Sequence, residues 1–218
     1  MSHFLPERNG TAGALGAPIG EIIEASTTEF VAQAAELGEA PDFGAFVHVA
    51  ADQGLTIMGV VAQVQTAGID PGARPIMRGH GEVRDDLIYQ ENPDLPHVLR
   101  TTFQAMIVGF REGRTWHQFL PPRPPRLHYS VWTSPPAEVR HFTDAGLDYL
   151  RTLLAATAEA PADELLAANI RLTAASHPDR AEQGRFTHAA GRELAQLLRA
   201  DYERLNAILR RVFAGPIA

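Results

Sequence analysis

From Ile19 to Phe110 the chain is a series of short runs rich in β-branched and aromatic residues, with glycine at the corners. Ile19–Ser26 alternates, Ile19, Glu21 and Ile23 interleaving with Gly20, Ile22 and Glu24. Thr28–Gln33 holds Phe30 and Val31, and Ala45–Ala50 holds Phe46, Val47 and Val49. After the turn Asp52-Gln53-Gly54, Leu55–Val64 is a longer β-branched run interrupted by Gly59. In Arg100–Phe110, Thr102, Gln104 and Met106 alternate with Phe103, Ala105 and Ile107. Strands of this length need sharp bends between them, which glycine permits, and the pattern predicts a small closed β-barrel. A Gly/Pro-rich loop over Gly68–Pro75 and a helical turn over Asn92–Leu99 separate the last two runs.

The chain changes character twice. Of its 18 glycines, 12 lie before residue 82, and six of its 16 prolines fall within residues 121–136. Beyond residue 138 it is rich in Ala, Leu, Arg and Glu. The expected fold class is α+β: a small N-terminal closed β-barrel followed by a C-terminal α-helical region. The boundaries read as a flexible arm over 1–17, the barrel over 18–114, a Pro-rich connector over 115–137, and helices over 138–218. In the connector, PPRPPR favours an extended, polyproline-like path, and His128–Trp132 reads as one more short strand. Helices are expected over Glu138–Ala158, Ala162–Ala175 and Arg185–Phe213. In the last, Leu194, Leu198, Tyr202, Leu205, Leu209 and Val212 recur at intervals of four and three, an apolar stripe. That stripe must be covered, by the other helices or by another subunit.

Two residue types are missing, and each removes a set of chemistries. The chain has no cysteine, and all 19 of its Lys+Arg residues are arginine. Without thiols there is no disulfide, thiolate-bound zinc or cysteine nucleophile. Without lysine there is no Schiff base and no phosphate-binding Walker lysine. The net charge of −7 is uneven: residues 1–100 hold 14 acids and 5 arginines, residues 101–218 hold 12 acids and 14 arginines. The acidic half is a poor surface for nucleic acid, whose binding rests on releasing counterions to basic side chains. No run of apolar residues is long enough to span a membrane, and the N-terminus lacks the basic-then-apolar pattern of a secretory signal. A cytoplasmic location without membrane contact is expected.

Few groups suggest chemistry. Arg185, Arg192 and Arg199 lie seven apart, as do Arg204 and Arg211, giving candidates for a phosphate-binding stripe or a solvated helix face. Trp116, Phe119, Tyr129 and Trp132, with Arg123 and Arg126, cluster around the prolines and are candidates for partner contact or for covering a barrel mouth. Leu198, Tyr202, Leu205 and Leu209 are candidates for a helical partner surface. His80, Glu82, Asp85 and Asp86 share a loop and could hold a divalent metal or serve as surface turn residues. No histidine pair has zinc-site spacing, no Gly-x-Ser-x-Gly elbow exists, and no Gly-rich dinucleotide loop opens a helix. No catalytic residue, cofactor or metal ligand is assigned.

The first part of the chain resembles the HAS barrel, the domain shared by HerA-type helicases and rotary ATP synthases. The resemblance rests on IGEIIEASTTEFVAQ, FGAFVHV, MGVVAQV and RTTFQAMIVGFREG, in that order, then FLPPRPPRLHYSVW and FTDAGLDYLRTLL. It covers about residues 18–156. In HerA-like motors the barrel precedes a P-loop ATPase; here helices follow, with neither a Walker loop nor a lysine to serve one. What the resemblance implies is therefore a non-catalytic barrel that takes part in assembly and partner docking. The leading reading is an assembly or adaptor protein, binding copies of itself or a HerA-like or nuclease complex beside DNA-processing machinery. A nucleic-acid-binding barrel and a metal-dependent enzyme built on His80 and the loop acids are the alternatives.

Overall fold

The computed structural model describes residues 16–70, 72, 75–155 and 161–214. The arm expected over 1–17 therefore lies, except for its last two residues, outside the described residues.

The N-terminal half forms a closed antiparallel barrel. Its strands are β1 (Gly20–Ala25), β2 (Glu29–Ala34), β3 (Phe46–Ala50), β4 (Leu55–Gly68) and β5 (Leu99–Glu112), followed by the short β6 (Thr115–His117) and by β7 (Ser130–Thr133). The spatial order is β2-β1-β7-β3-β4-β5, and β5 pairs back onto β2, with Phe30 opposite Ala105. Closure satisfies the strand edges that an open sheet would leave exposed. β6 is a hairpin arm on the outside of β5. The ring needs β7, which pairs with β1 at Gly20↔Val131 and with β3 at Val47↔Thr133. The closing strand thus lies within the proline-rich stretch 115–137, beyond the expected barrel boundary at 114.

Alternation along the strands builds two cores. Ile22, Phe30, Val49, Ile57, Phe103 and Ile107 belong to the cluster that fills the barrel. Phe46, Met58, Val60 and Val108 alternate to the outer face and join the helices in a second cluster. Each large apolar side chain buried there contributes about 1.5–3 kcal/mol. The helices therefore pack on the barrel of their own chain, which the sequence left open.

β4 and β5 run on beyond the barrel as a two-stranded ribbon to the pair Gly68↔Leu99. Between them stands an excursion carrying two short helices, α1 (Asp86–Glu91) and α2 (Leu95–Val98). The C-terminal helices are α3 (Pro136–Asp144), α4 (Tyr149–Leu154), α5 (Ala162–Ala175), α6 (Arg180–Leu197) and α7 (Tyr202–Phe213). α5 has the expected bounds. It is the central helix, packing against α3, α4, α6 and α7 and burying Leu165, Leu166 and Ile170 completely.

Two expected helices are each broken in two. The one over 138–158 stops at Asp144 and restarts at Tyr149, because Gly146 takes φ +149. Gln118 spans the break: its Nε2 donates to the Phe142 and Gly146 carbonyls at 2.8 and 2.7 Å, and its Oε1 accepts from the Tyr149 N–H at 3.1 Å. The expected end of that helix at 156–158 lies outside the described residues. The helix over 185–213 begins earlier, at Arg180, where Asp179 accepts from the Glu182 N–H at 2.8 Å. It ends at Leu197, and Asp201 caps a new start by accepting from the Arg204 N–H at 3.0 Å. The break allows α7 to pack mainly on α5 rather than continue in line.

Candidate functional site

The aromatic and basic residues of the proline-rich stretch divide between two places. At one end of the barrel they gather on Asp52, in the β3–β4 turn. Arg126 Nε lies 2.5 Å from Asp52 Oδ2, and the Tyr129 hydroxyl donates to Oδ1 at 2.5 Å. That hydrogen bond, followed by desolvation and the carboxylate's charge, raises the Tyr129 pKa above 10.0, with Arg126 opposing. Phe119, 61% exposed, sets its ring edge-on to Phe110 at 5.5 Å, where Phe110 ends the barrel core. Arg123 is exposed.

Trp116 and Trp132 lie elsewhere, on the outer wall facing α3. Trp132 stacks on His48 at 5.8 Å, and Trp116 sets its edge against Phe142 at 5.4 Å with the Arg111 guanidinium over its ring. Trp116 and His48 line an open groove of about 970 Å³ between the barrel and α3. His48 Nδ1 lies 2.9 Å from Glu138 Oε2 and 3.2 Å from Ser134 Oγ. A Ser–His–acid relay needs the acid on one ring nitrogen and the hydroxyl on the other. Both partners crowd Nδ1 here, and the Ser134 hydroxyl donates to Met58 Sδ at 3.3 Å. This is a buried polar link between strand and helix, not an activated nucleophile.

The helical candidates do not form one surface. Leu198 and Leu205 are buried in the chain's own core, Leu209 packs half-buried against it, and Tyr202 is 72% exposed. The restart at Asp201 turns the stripe into two separate helix faces, which accounts for the split. Arg204 Nε lies 2.7 Å from Asp163 and Arg211 Nε 2.5 Å from Glu164, so these two fasten α7 to the first turn of α5. Arg185, 3.4 Å from Glu182, and Arg192 and Arg199 are exposed.

Among the described residues, the β4–β5 excursion carries the two most exposed large apolar side chains, Ile76 and Met77. Gly79, His80 and Gly81 form a tight turn whose Gly79 carbonyl accepts from the N–H groups of Glu82 and Val83 at 2.8 and 3.1 Å. A Cβ on Gly79 would lie 2.1 Å from the Val83 carbonyl oxygen, so only glycine fits. His80 and Asp85 adopt φ +45 and +53. Arg78 ties the turn to α2's approach, 2.9 Å from Asp94 and 3.3 Å from Asn92 Oδ1. Around this frame lies an open cleft of about 700 Å³, walled by Ile76, Met77, Val83, Ile88, Tyr89 and Val98. Ile76 is 77% exposed and Met77 73%. α1 buries none of its residues, leaving Leu87 and Tyr89 each 54% exposed. Glu82, Asp85, Asp86 and Glu91 are exposed along the same excursion. Among the described residues, no three His, Asp or Glu side chains converge as a metal-binding group, so His80, Glu82, Asp85 and Asp86 share a segment without forming a ligand set.

The apolar walls of this cleft were not singled out from sequence. The available signal was the pair Ile76-Met77 in a stretch otherwise rich in Gly and Pro, where neither helical nor strand periodicity accounts for them. No helix among the described residues is long and apolar enough to cross a membrane. No protein-family model matches the chain, and no curated protein matches it by sequence.

Proposed function

We propose that this chain is a non-catalytic assembly or adaptor protein that works through protein–protein contact. The observation that carries the reading is the open apolar cleft of the β4–β5 excursion, raised on a ribbon beyond the filled barrel. Soluble surfaces rarely leave several large apolar side chains together in water unless something covers them. The resemblance to the HAS barrel supports the same reading and gives it a setting, as an accessory of HerA-type DNA-processing machinery. The barrel and helices supply a rigid body, and the excursion supplies a contact surface that either core can spare.

The test is affinity purification of the tagged chain from its native host, with light scattering on the purified protein. A stoichiometric co-purifying protein or a defined oligomer is the expected result. A strict monomer that recovers no stoichiometric partner overturns the reading.

A further inference from the structure

Resting on that adaptor reading, we infer that the cleft between α1 and the Ile76-Met77 segment docks a cationic amphipathic helical segment of a partner protein.

Shape and charge point the same way. The walls are mainly apolar, with Asp70, Arg78, His80 and His97 among them, and the lips Ile76 and Met77 are exposed over about three-quarters of their surface, at 77% and 73%. A pocket for a small molecule encloses most of its ligand, whereas an open cleft with exposed apolar lips suits the apolar face of a helix laid across it. Met77 has an unbranched, adaptable side chain suited to such a face. The surroundings are acidic: residues 68–99 hold six acids and three arginines. Of those arginines, Arg78 is paired with Asp94, Arg84 is exposed beside Asp85, and Arg74 lies outside the described residues. Glu82, Asp85, Asp86 and Glu91 remain exposed along the excursion. A docking segment with acidic flanks would meet like charge, and one with arginine or lysine flanks would be drawn in and held in register. Anionic lipid headgroups are disfavoured for the same reason.

The experiment uses the full chain and a fluorescent synthetic peptide of about five helical turns with one leucine face and one arginine face. Two comparison peptides carry glutamate for arginine, or the same residues scrambled so that no apolar face forms. The expected result is saturable anisotropy with the arginine peptide, weakening as salt rises. Both comparison peptides should bind at least about tenfold more weakly. The double variant Ile76→Glu/Met77→Glu should lose at least about tenfold in affinity with unchanged melting, since neither side chain belongs to a core. A second variant, Asp85→Asn/Asp86→Asn/Glu91→Gln, should bind less tightly and with a shallower salt dependence. Equal binding by wild type and the Ile76/Met77 variant overturns the proposal, as does equal binding of the glutamate peptide or no saturable binding. Self-association that the Ile76/Met77 variant loses would put a second copy in the cleft and also overturns it. A native partner recovered equally by wild type and that variant refutes the cleft while leaving the adaptor reading intact, whereas a strict monomer that recovers no partner refutes the adaptor reading.

Discussion

At the residue scale, one small polar group joins the barrel to the helices. Asn169 is fully buried in α5; its Nδ2 donates to the Gly44 carbonyl at 3.0 Å and its Oδ1 accepts from the Tyr149 hydroxyl at 3.1 Å. Gly44 takes φ +88, and a Cβ there would lie 2.8 Å from the Asn169 backbone nitrogen, so helix and barrel backbone meet at a point that tolerates only glycine. Replacing Asn169 by Ala would leave a carbonyl and a hydroxyl without partners, and is expected to cost about 2–4 kcal/mol in urea unfolding. Adding Tyr149→Phe should then cost less than it does alone, because the hydroxyl has already lost its acceptor. Burial also raises the Tyr149 pKa above 10.0. A raised folded pKa means that the stability contributed by the neutral phenol is complete below about pH 10 and is lost as pH climbs toward the folded value. Ultraviolet titration should show the highest-pH phenol ionising together with alkaline unfolding, and Tyr149→Phe should remove that step; an unchanged titration would refute the assignment. Neither Asn169 nor Gly44 stands out in the sequence, since a polar residue in an Ala/Leu-rich helix reads as a solvent position until the tertiary partner is known.

At the element scale, the β4–β5 excursion and the barrel answer to different forces. The ribbon keeps antiparallel register to Gly68↔Leu99, so the two strands already stand at hairpin distance where the excursion departs. Replacing residues 69–98 by an Asn-Gly turn, which suits a two-residue hairpin, should leave near-ultraviolet dichroism and the melting temperature close to wild type. Partner recovery should disappear with it. Collapse of the barrel in this deletion would mean that the excursion is structural and would remove the premise of a spare docking element. The arginines of α6 and α7 follow a similar division. Arg204 and Arg211 hold carboxylates of α5 through half-exposed pairs, each worth up to about 1 kcal/mol. That leaves Arg185, Arg192 and Arg199 as the exposed members of the expected basic stripe. Anisotropy titrations with single- and double-stranded DNA at low salt are expected to stay flat. Saturable binding that weakens with Arg185→Ala, Arg192→Ala and Arg199→Ala would restore the nucleic-acid reading.

At the scale of the whole molecule, the strands of the barrel and the helix α5 were legible because each carries its own signal: alternation for the strands, and Pro161 followed by Asp163 for the helix start. What escaped depends on long-range partners. The strand at β7 is read from the sequence over His128–Trp132, but its place in the barrel shows only through its pairing with β1 and β3. The stop after Leu197 was hidden because Leu194, Leu198 and Leu205 keep helical spacing across the break, while the signal against it, Asp201 as a cap, was local and weaker. The same long-range dependence makes barrel and helices one folding unit. Phe46, Met58, Val60, Ala62 and Val108 project from the strands into the helical core rather than into the barrel. Cutting the chain after Ser134 would keep all six barrel strands but strip the cover from these five side chains. Their exposure would form a contiguous apolar face on the outer wall, and Gly44 would lose Asn169 as its partner. The full chain is therefore expected to unfold in a single calorimetric transition, with calorimetric and van't Hoff enthalpies equal. The fragment ending at Ser134 should aggregate or bind a hydrophobic dye when expressed alone. Two separated transitions in the full chain, or a soluble monomeric fragment with native near-ultraviolet dichroism, would show instead that the filled barrel is stable without its helical wall.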